Sequence, residues 1–218
     1  MNLLWPHYLR PVPAMSLLEF TPIPGAITER KRIPARETEV ESREMEGTRC
    51  RFRTTADVDL YPLQLEQVSM ESASSGQSAL RLRFATLPGA TLGQAGIERL
   101  RLHLVGEPAY TLYYWLCRYV GKIKLRLLTQ GRPAEELGLP DCKIQPFGFA
   151  KEEALLPYPQ TAFDGYRLLQ EYFAFPQKFL AVDLSDLRPL ARRSSATTFE
   201  ILILFTKAPP ASLRVSKD

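Results

Sequence analysis

The chain has 218 residues, 45% of them hydrophobic and 24% charged, so it can bury a real core and falls outside the intrinsically disordered class. A formal net charge of +4 is too small, by itself, to argue for nucleic acid or an anionic membrane as partner. Three cysteines without a CxxC pair (Cys50, Cys117 and Cys142) argue against a disulfide-stapled secreted domain and read as buried free thiols in a reducing compartment.

No run approaches the ~18 apolar residues of a membrane span. The short apolar stretch Leu3-Leu4-Trp5 before Pro6 is no signal-peptide core, which makes the cytoplasm the expected compartment. The first segment, with Pro6, Pro11 and Pro13, reads as an extended lead-in anchored by Trp5, Tyr8 and Leu9. A first strand is expected over Met15–Thr21, before the break at Pro22, Pro24 and Gly25. Residues 28–46 carry interspersed charges of both signs and read as a solvated loop plus an edge strand, since Pro34 breaks any long helix.

Glu46-Gly47 is a turn signal leading into Thr48–Thr54. There Arg49, Arg51 and Arg53 alternate with Cys50 and Phe52, the period of two that marks a strand with one wet and one dry face. The pattern recurs with Leu80, Leu82 and Phe84 inward against Arg81 and Arg83, and again over Leu100–Leu104 and Lys122–Leu127. Turn-like connections follow at Ser74–Gln77, at Pro88-Gly89 and at Gly131–Pro133. Several strands at this spacing predict a mainly β, α+β fold, an antiparallel β-sandwich-like body.

Two helices are expected to interrupt it, at about 108–120 and 164–175. In the first, Tyr110, Tyr113, Tyr114, Cys117 and Val120 form one stripe, with Trp115, Leu116 and Tyr119 also apolar, so the helix is expected to be covered on most sides. In the second, Asp164-Gly165 opens the helix and Pro176 closes it. Tyr166, Leu169 and Phe173 fall at i, i+3 and i+7, flanked by Leu168 and Tyr172. Phe179, Leu180, Val182 and Leu184 then read as a short buried strand, and Thr197–Thr206 as a central strand buried on both faces. The organisation is thus a Pro-rich lead-in and first strand (1–24), antiparallel strands (25–107), helices and strands completing the sheets (108–206) and a mobile polar tail (207–218).

No constellation for catalysis is legible. His7 and His103 are the only histidines, and neither has metal-ligand company in sequence. No Ser sits in GxSxG, no Gly-rich phosphate loop exists, and the adjacent pairs Glu135-Glu136 and Glu152-Glu153 diverge rather than converge on a substrate. The chain therefore reads as non-enzymatic and without cofactor or metal. Two features could serve contact. Arg49, Arg51, Arg53, Arg81, Arg83 and Arg101 would make a basic patch if their strands were neighbours in one sheet, or else an exposed face balanced by Glu37, Glu39, Glu41 and Glu66. Tyr172, Phe173, Phe175 and Phe179 read first as core and second as an interface. The residues singled out as a candidate protein interface are Arg49, Arg51, Arg53, Arg81, Arg83, Tyr172 and Phe175.

The stretch GYRLLQEYFAFPQKFLAVDL at Gly165–Leu184 resembles the signature of TssF, also called VasA or ImpG, a baseplate subunit of the bacterial type VI secretion system. LLWPHYLRPVPAM at Leu3–Met15, GTRCRFRTTADVDLYPL at Gly47–Leu63 and GFAKEEALLPY at Gly148–Tyr158 fit the same family in the same order. In that family the first block lies well inside a longer chain, which implies a central fragment. The resemblance further implies a structural role: two TssF copies with one TssG form a wedge that, with TssK and TssE, surrounds the VgrG hub. That baseplate sits at the cytoplasmic face of the inner membrane, beneath a membrane complex, and primes assembly of the contractile sheath. The family is similar to the wedge proteins of contractile phages. A different reading of the residues alone is a stand-alone β-sandwich module that recognises an acidic peptide or a glycan through the arginine face. Neither reading includes nucleic acid or direct membrane insertion.

Overall fold

The run TFEILILF, Thr198–Phe205, is the middle strand of a five-stranded antiparallel sheet, and every residue of it after Thr198 is buried. β-branched and long apolar side chains on consecutive positions suit a strand with both faces covered. The computed structural model describes residues 11–72, 76–128, 133–159, 162–192 and 196–217. The expected anchors Trp5, Tyr8 and Leu9, His7, and most of the turns at 74–77 and 131–133 lie outside the described residues.

In chain order the strands are β1 (Lys31–Ile33), β2 (Glu39–Glu41), β3 (Arg51–Arg53), β4 (Val58–Leu60), β5 (Leu63–Ser72) and β6 (Ser78–Thr86). They continue as β7 (Leu100–His103), β8 (Val120–Leu128), β9 (Glu135–Gly138), β10 (Lys143–Pro146), β11 (Ala181–Ser185) and β12 (Thr198–Phe205). The helices are α1 (Leu92–Ala95), α2 (Ala109–Arg118), α3 (Asp164–Ala174) and α4 (Arg188–Ala191), with 3-10 turns at Lys151–Glu153 and Pro176–Phe179. The chain divides into two units. One holds Thr21–Lys31, Leu60–Pro146 and Leu180–Asp218, and the other Met1–Phe20, Arg32–Asp59 and Phe147–Phe179.

The first unit contains a five-stranded sheet in the order β5-β6-β12-β8-β9 and a three-stranded sheet in the order β10-β11-β7, both antiparallel. One core joins the inner faces, as the sandwich-like expectation required. Phe199 pairs with Phe84 across β12 and β6, their rings stacked at 5.2 Å, and Ile201 sits between Leu82 and Leu125. From the other sheet Leu100, Val182 and Leu184 enter the same cluster. Thr91 caps α1 by accepting the Gln94 N–H, and Gly96 ends it in the left-handed region at φ 57°.

Across the outer face of the large sheet runs a row of charges alternating in sign, one drawn from each strand: Glu71, Arg81, Glu200, Arg126 and Glu136, from β5 to β9. Glu200, buried on β12, lies 3.1 Å from Arg126 and 3.7 Å from Arg81. Arg126 reaches Glu136 at 2.8 Å, and Arg81 reaches Glu71 at 3.5 Å. A carboxylate buried in a central strand needs such partners, because desolvation without them costs several kcal/mol.

Three expectations need correction in this unit. The buried stripe of α2 is Ala109, Leu112 and Leu116, while Tyr110, Tyr114 and Cys117 face solvent, so the helix is covered on one side only. The tyrosine ring tolerates that position because its hydroxyl stays hydrated. Of the three free thiols only Cys142 is buried; Cys50, in the other unit, is exposed like Cys117. Within the tail, Leu213 is buried and Val215 packs beside it against the core.

In the second unit β2 and β3 pair alone, Glu39 opposite Arg53 and Glu41 opposite Arg51. The turn between them uses Glu46 and Gly47, both at positive φ (50° and 78°), with Met45 and Thr48 exchanging backbone hydrogen bonds of 3.0 and 2.9 Å. Two central residues at positive φ are what a primed hairpin turn demands. Val40 and Phe52 are half-buried on this ribbon, whereas Cys50, just before β3, is exposed. Residues 15–21 form no strand: the segment runs mostly exposed between prolines, without a ladder partner to hold it extended.

Candidate interaction surface

Helix α3 is inside out. Its buried side chains are Arg167 and Glu171, one turn apart, and its exposed ones are Tyr166, Leu169, Tyr172 and Phe173. Phe173 is 81% exposed and Phe163, just before the helix, 71%. The stripe Tyr166, Leu169 and Phe173 was expected to face a core, and the structure turns it to solvent.

The cause lies in three ions that share one side of the helix. Glu171 is fully buried and receives Lys178, from the 3-10 turn after Pro176, together with Arg167 at 3.2 Å. Its other carboxylate oxygen accepts the backbone N–H groups of Leu155 at 2.9 Å and Leu156 at 3.3 Å. Arg167 donates in turn to the Phe149 carbonyl at 3.1 Å. A buried carboxylate with two cations and two amide donors is satisfied in a way that an apolar face could not reproduce for the loop at 149–156. Burial pulls the Lys178 ammonium below its ordinary value, and its hydrogen bond to Glu171 offsets part of that. Glu153 adds a second anchor, accepting the N–H groups of Gly148 at 2.7 Å and Ala150 at 3.0 Å.

Local sequence supports this placement. Gly165 lacks the Cβ that would run into the Phe163 ring, which folds over the first helical turn and meets Tyr166 edge-on at 5.7 Å. Pro176 stops the helix, and Phe175 closes it by donating its N–H to the Glu171 carbonyl at 2.8 Å. Phe179 is buried, its ring tilted against Phe149 at 5.0 Å and Tyr172 at 6.0 Å, with the Lys178 ammonium 5.1 Å from its ring centre. The aromatic quartet thus splits: Phe179 is core, Phe175 half-buried, and Tyr172 and Phe173 exposed. Arg167, Glu171 and Lys178 are the residues that sequence reasoning missed. Their signal is an i, i+4 ion pair opposite an apolar stripe, a pattern that reads by default as a solvated face.

The candidate arginines do not gather in one sheet. Arg49, Arg51 and Arg53 belong to the β3 segment and meet Glu44 at 3.7 Å, Glu41 at 3.2 Å and Glu39, respectively. Arg81 and Arg83 lie on β6 of the five-stranded sheet, where Arg83 meets Glu66 at 3.1 Å. Arg101, on β7 of the three-stranded sheet, grips Asp183 with two bonds of 2.7 and 2.9 Å. Each is balanced by a carboxylate, three of them (Glu39, Glu41 and Glu66) named from the sequence.

Among the described residues no cluster of His, Cys, Asp and Glu is arranged to hold a metal ion, and no helix is long and apolar enough to cross a membrane. His103 ends β7 on its exposed side, opposite Ala181 in register. What α3 offers chemically is apolar area held in a rigid frame.

The described residues thus combine a mainly β fold and internally paired charges with aromatic side chains exposed on both α2 and α3. The comparisons with known proteins are specific. The family profile described as "Type VI secretion system, TssF" matches residues 1–218, and the chain belongs to that family. The chain is 32% identical to the type VI secretion system component TssF1 of Pseudomonas aeruginosa strain PAO1, over 95% of its own length and 36% of that protein's. It is also similar, at a TM-score of 0.86 and 35% identity, to a chain in the cryo-electron microscopy structure of the TssK-TssF-TssG baseplate subcomplex of the type VI secretion system. That match covers 99% of this chain and 40% of the other. The chain therefore spans well under half the length of both relatives.

Proposed function

We propose that the protein is a structural, non-enzymatic subunit of a type VI secretion baseplate, working through stable contacts with other subunits. The observation that carries this is the match of nearly the whole chain, at a TM-score of 0.86, to part of a chain in a TssK-TssF-TssG subcomplex. TssG-type and TssK-type proteins are accordingly its first partners. A second TssF copy, TssE, the VgrG hub and the sheath complete the setting that family membership suggests, on the cytoplasmic side of the inner membrane. The work would be mechanical: contacts held in the extended state that rearrange when the sheath contracts.

The internal balance of every candidate arginine weighs against the alternative of a module reading acidic peptides or glycans through a basic face. Co-expression with the TssG-type and TssK-type proteins encoded by the same organism tests the proposal. A stoichiometric complex surviving size exclusion is the expected result, and separate elution of the three proteins overturns it.

A further inference from the structure

We propose that the C-terminal corner of α2 is a carboxylate-binding site, at which Tyr114, Tyr119, Arg118 and Lys207 receive an Asp or Glu side chain from an acidic segment of another protein. None of the arginines singled out from the sequence takes part, and the site stands independently of the baseplate reading.

Tyr114 and Arg118 lie one turn apart on the side of α2 away from Ala109, Leu112 and Leu116, and both are exposed. Tyr119, which caps the helix, brings its hydroxyl to 3.5 Å from that of Tyr114, and the Lys207 ammonium stands 5.3 Å from the Tyr119 ring centre. The hydrogen bond from Tyr119 raises the Tyr114 phenol, while Arg118 and Lys207 pull it down, so both cations act through space on one hydroxyl pair. The frame around that pair is fixed. Trp115 packs 5.4 Å from Tyr114 and 5.2 Å from Tyr119, and donates its indole N–H to the Lys207 carbonyl at 3.3 Å. Thr206 donates to the Tyr119 carbonyl from its N–H at 2.7 Å and from its hydroxyl at 3.1 Å. Groups held in place this way lose little freedom when a ligand arrives.

The charge is uncompensated. Arg81, Arg101 and Arg126 each face a carboxylate, whereas among the described residues neither Arg118 nor Lys207 meets one. Helix α2 contains no acidic residue, and Glu107 lies about three turns before Arg118. Nor are the cations needed as caps, since the Trp115 and Tyr119 carbonyls already accept the N–H groups of Tyr119 and Thr206. Two cations beside two phenol O–H donors match one carboxylate, whose two oxygens accept charge-assisted hydrogen bonds. The 3.5 Å contact between the hydroxyls is at the long limit for a hydrogen bond, so both can turn to an anion at little cost. A phosphate dianion fits less well, because α2 presents its negative end here. A nucleic-acid backbone would call for a row of cations. A second copy, itself of net charge +4, is a poorer source of the anion than an acidic partner. Tyr110, 58% exposed and one turn before Tyr114, extends the surface for residues flanking the carboxylate.

The test titrates the full chain with a hexaglutamate peptide and follows Trp115 emission, in a Trp5→Phe background that leaves it as the sole indole. The expected result is saturable binding with a Kd below about 1 mM, and none with hexaglutamine. Arg118→Ala/Lys207→Ala should weaken it more than about 10-fold, and Tyr114→Phe/Tyr119→Phe several-fold. Arg188→Ala/Arg192→Ala, which removes two cations elsewhere, should leave it unchanged. An equal loss in that control means diffuse charge attraction and overturns the site, as does the absence of saturation at about 10 mM peptide. Displacement of hexaglutamate by inorganic phosphate more readily than by acetate overturns the carboxylate assignment. A change in Trp115 emission on dilution of the protein alone identifies a second copy as the occupant and also overturns the proposal. Loss of the site leaves the baseplate reading intact, and failure to form a complex with TssG-type and TssK-type proteins leaves the site intact.

Discussion

Glu171 and Phe173 lie two positions apart on one helix; the carboxylate is 0% exposed and the aromatic ring 81%. That is the reverse of what transfer free energies alone prescribe. The inversion is stabilised by Arg167, Lys178 and the backbone N–H groups of Leu155 and Leu156, which all converge on one carboxyl group.

Removing that hub should be expensive. Glu171→Ala leaves two buried cations without their anion and is expected to lower unfolding free energy by about 3–5 kcal/mol. Replacing all three ions together, as Arg167→Met/Glu171→Leu/Lys178→Met, is expected to lose far less or nothing, because no unpaired charge remains. Urea denaturation of both variants reads the contrast, and equal destabilisation would refute this account of the cluster.

Phe173 should matter little to the stability of the isolated chain. Phe173→Ala is expected to stay within about 0.5 kcal/mol of wild type. Phe199→Ala, which deletes a fully buried ring stacked on Phe84 at 5.2 Å, should cost about 3–5 kcal/mol. Thermal melts of the two variants side by side measure this; comparable losses would place Phe173 in a core.

The thiols should separate by reactivity. Burial pushes the Cys142 thiol up to about 11 from an ordinary 9.0. In the native protein a thiol reagent at pH 8 should label exposed Cys50 first and reach Cys142 only on unfolding. The raised value means the folded state holds its proton more tightly than the unfolded chain. Cys142 therefore contributes stability that is fully present below pH 9 and lost as the pH rises towards 11. Denaturant midpoints across that range should fall less steeply for Cys142→Ala than for wild type.

The charged row across the large sheet gives a smaller effect. In Glu200→Ala, Arg81 and Arg126 keep Glu71 and Glu136 as partners, so the expected loss is about 1–3 kcal/mol, below that of Glu171→Ala. Equal costs for the two substitutions, read by urea denaturation, would contradict the difference in how completely each carboxylate's partners depend on it.

The sheets were legible from sequence and the helix faces were not, for one physical reason. In a strand, side chains alternate strictly, so Leu80, Leu82 and Phe84 against Arg81 and Arg83 leave one sensible orientation. A helix can roll, and its face is chosen by whatever meets it. Tyr166, Leu169 and Phe173 make a correct helical stripe, yet the decision belongs to Lys178 and to the amides of residues 155 and 156, whose arrival beside Glu171 is a tertiary event. In α2 the apolar residues were numerous enough to fit several faces, and the small and branched set Ala109, Leu112 and Leu116 packed inward in place of Tyr110 and Tyr114, with Tyr113 at the margin of the core. The expected strand at 15–21 failed because extended backbone without a partner has nothing to hold it.

Strand β12 occupies the centre of the large sheet but comes last of its five strands in the chain. Until Thr198–Phe205 has left the ribosome, β5 with β6 and β8 with β9 exist as two hairpins whose inner edges have no neighbour. On one side of the seam that unites them, β12 meets β6 across more than a hundred positions, as between Phe199 and Phe84. Loop-closure entropy delays such pairings and slows folding. Two open edges thus wait for a single late strand, and a longer wait favours their pairing with neighbouring nascent chains.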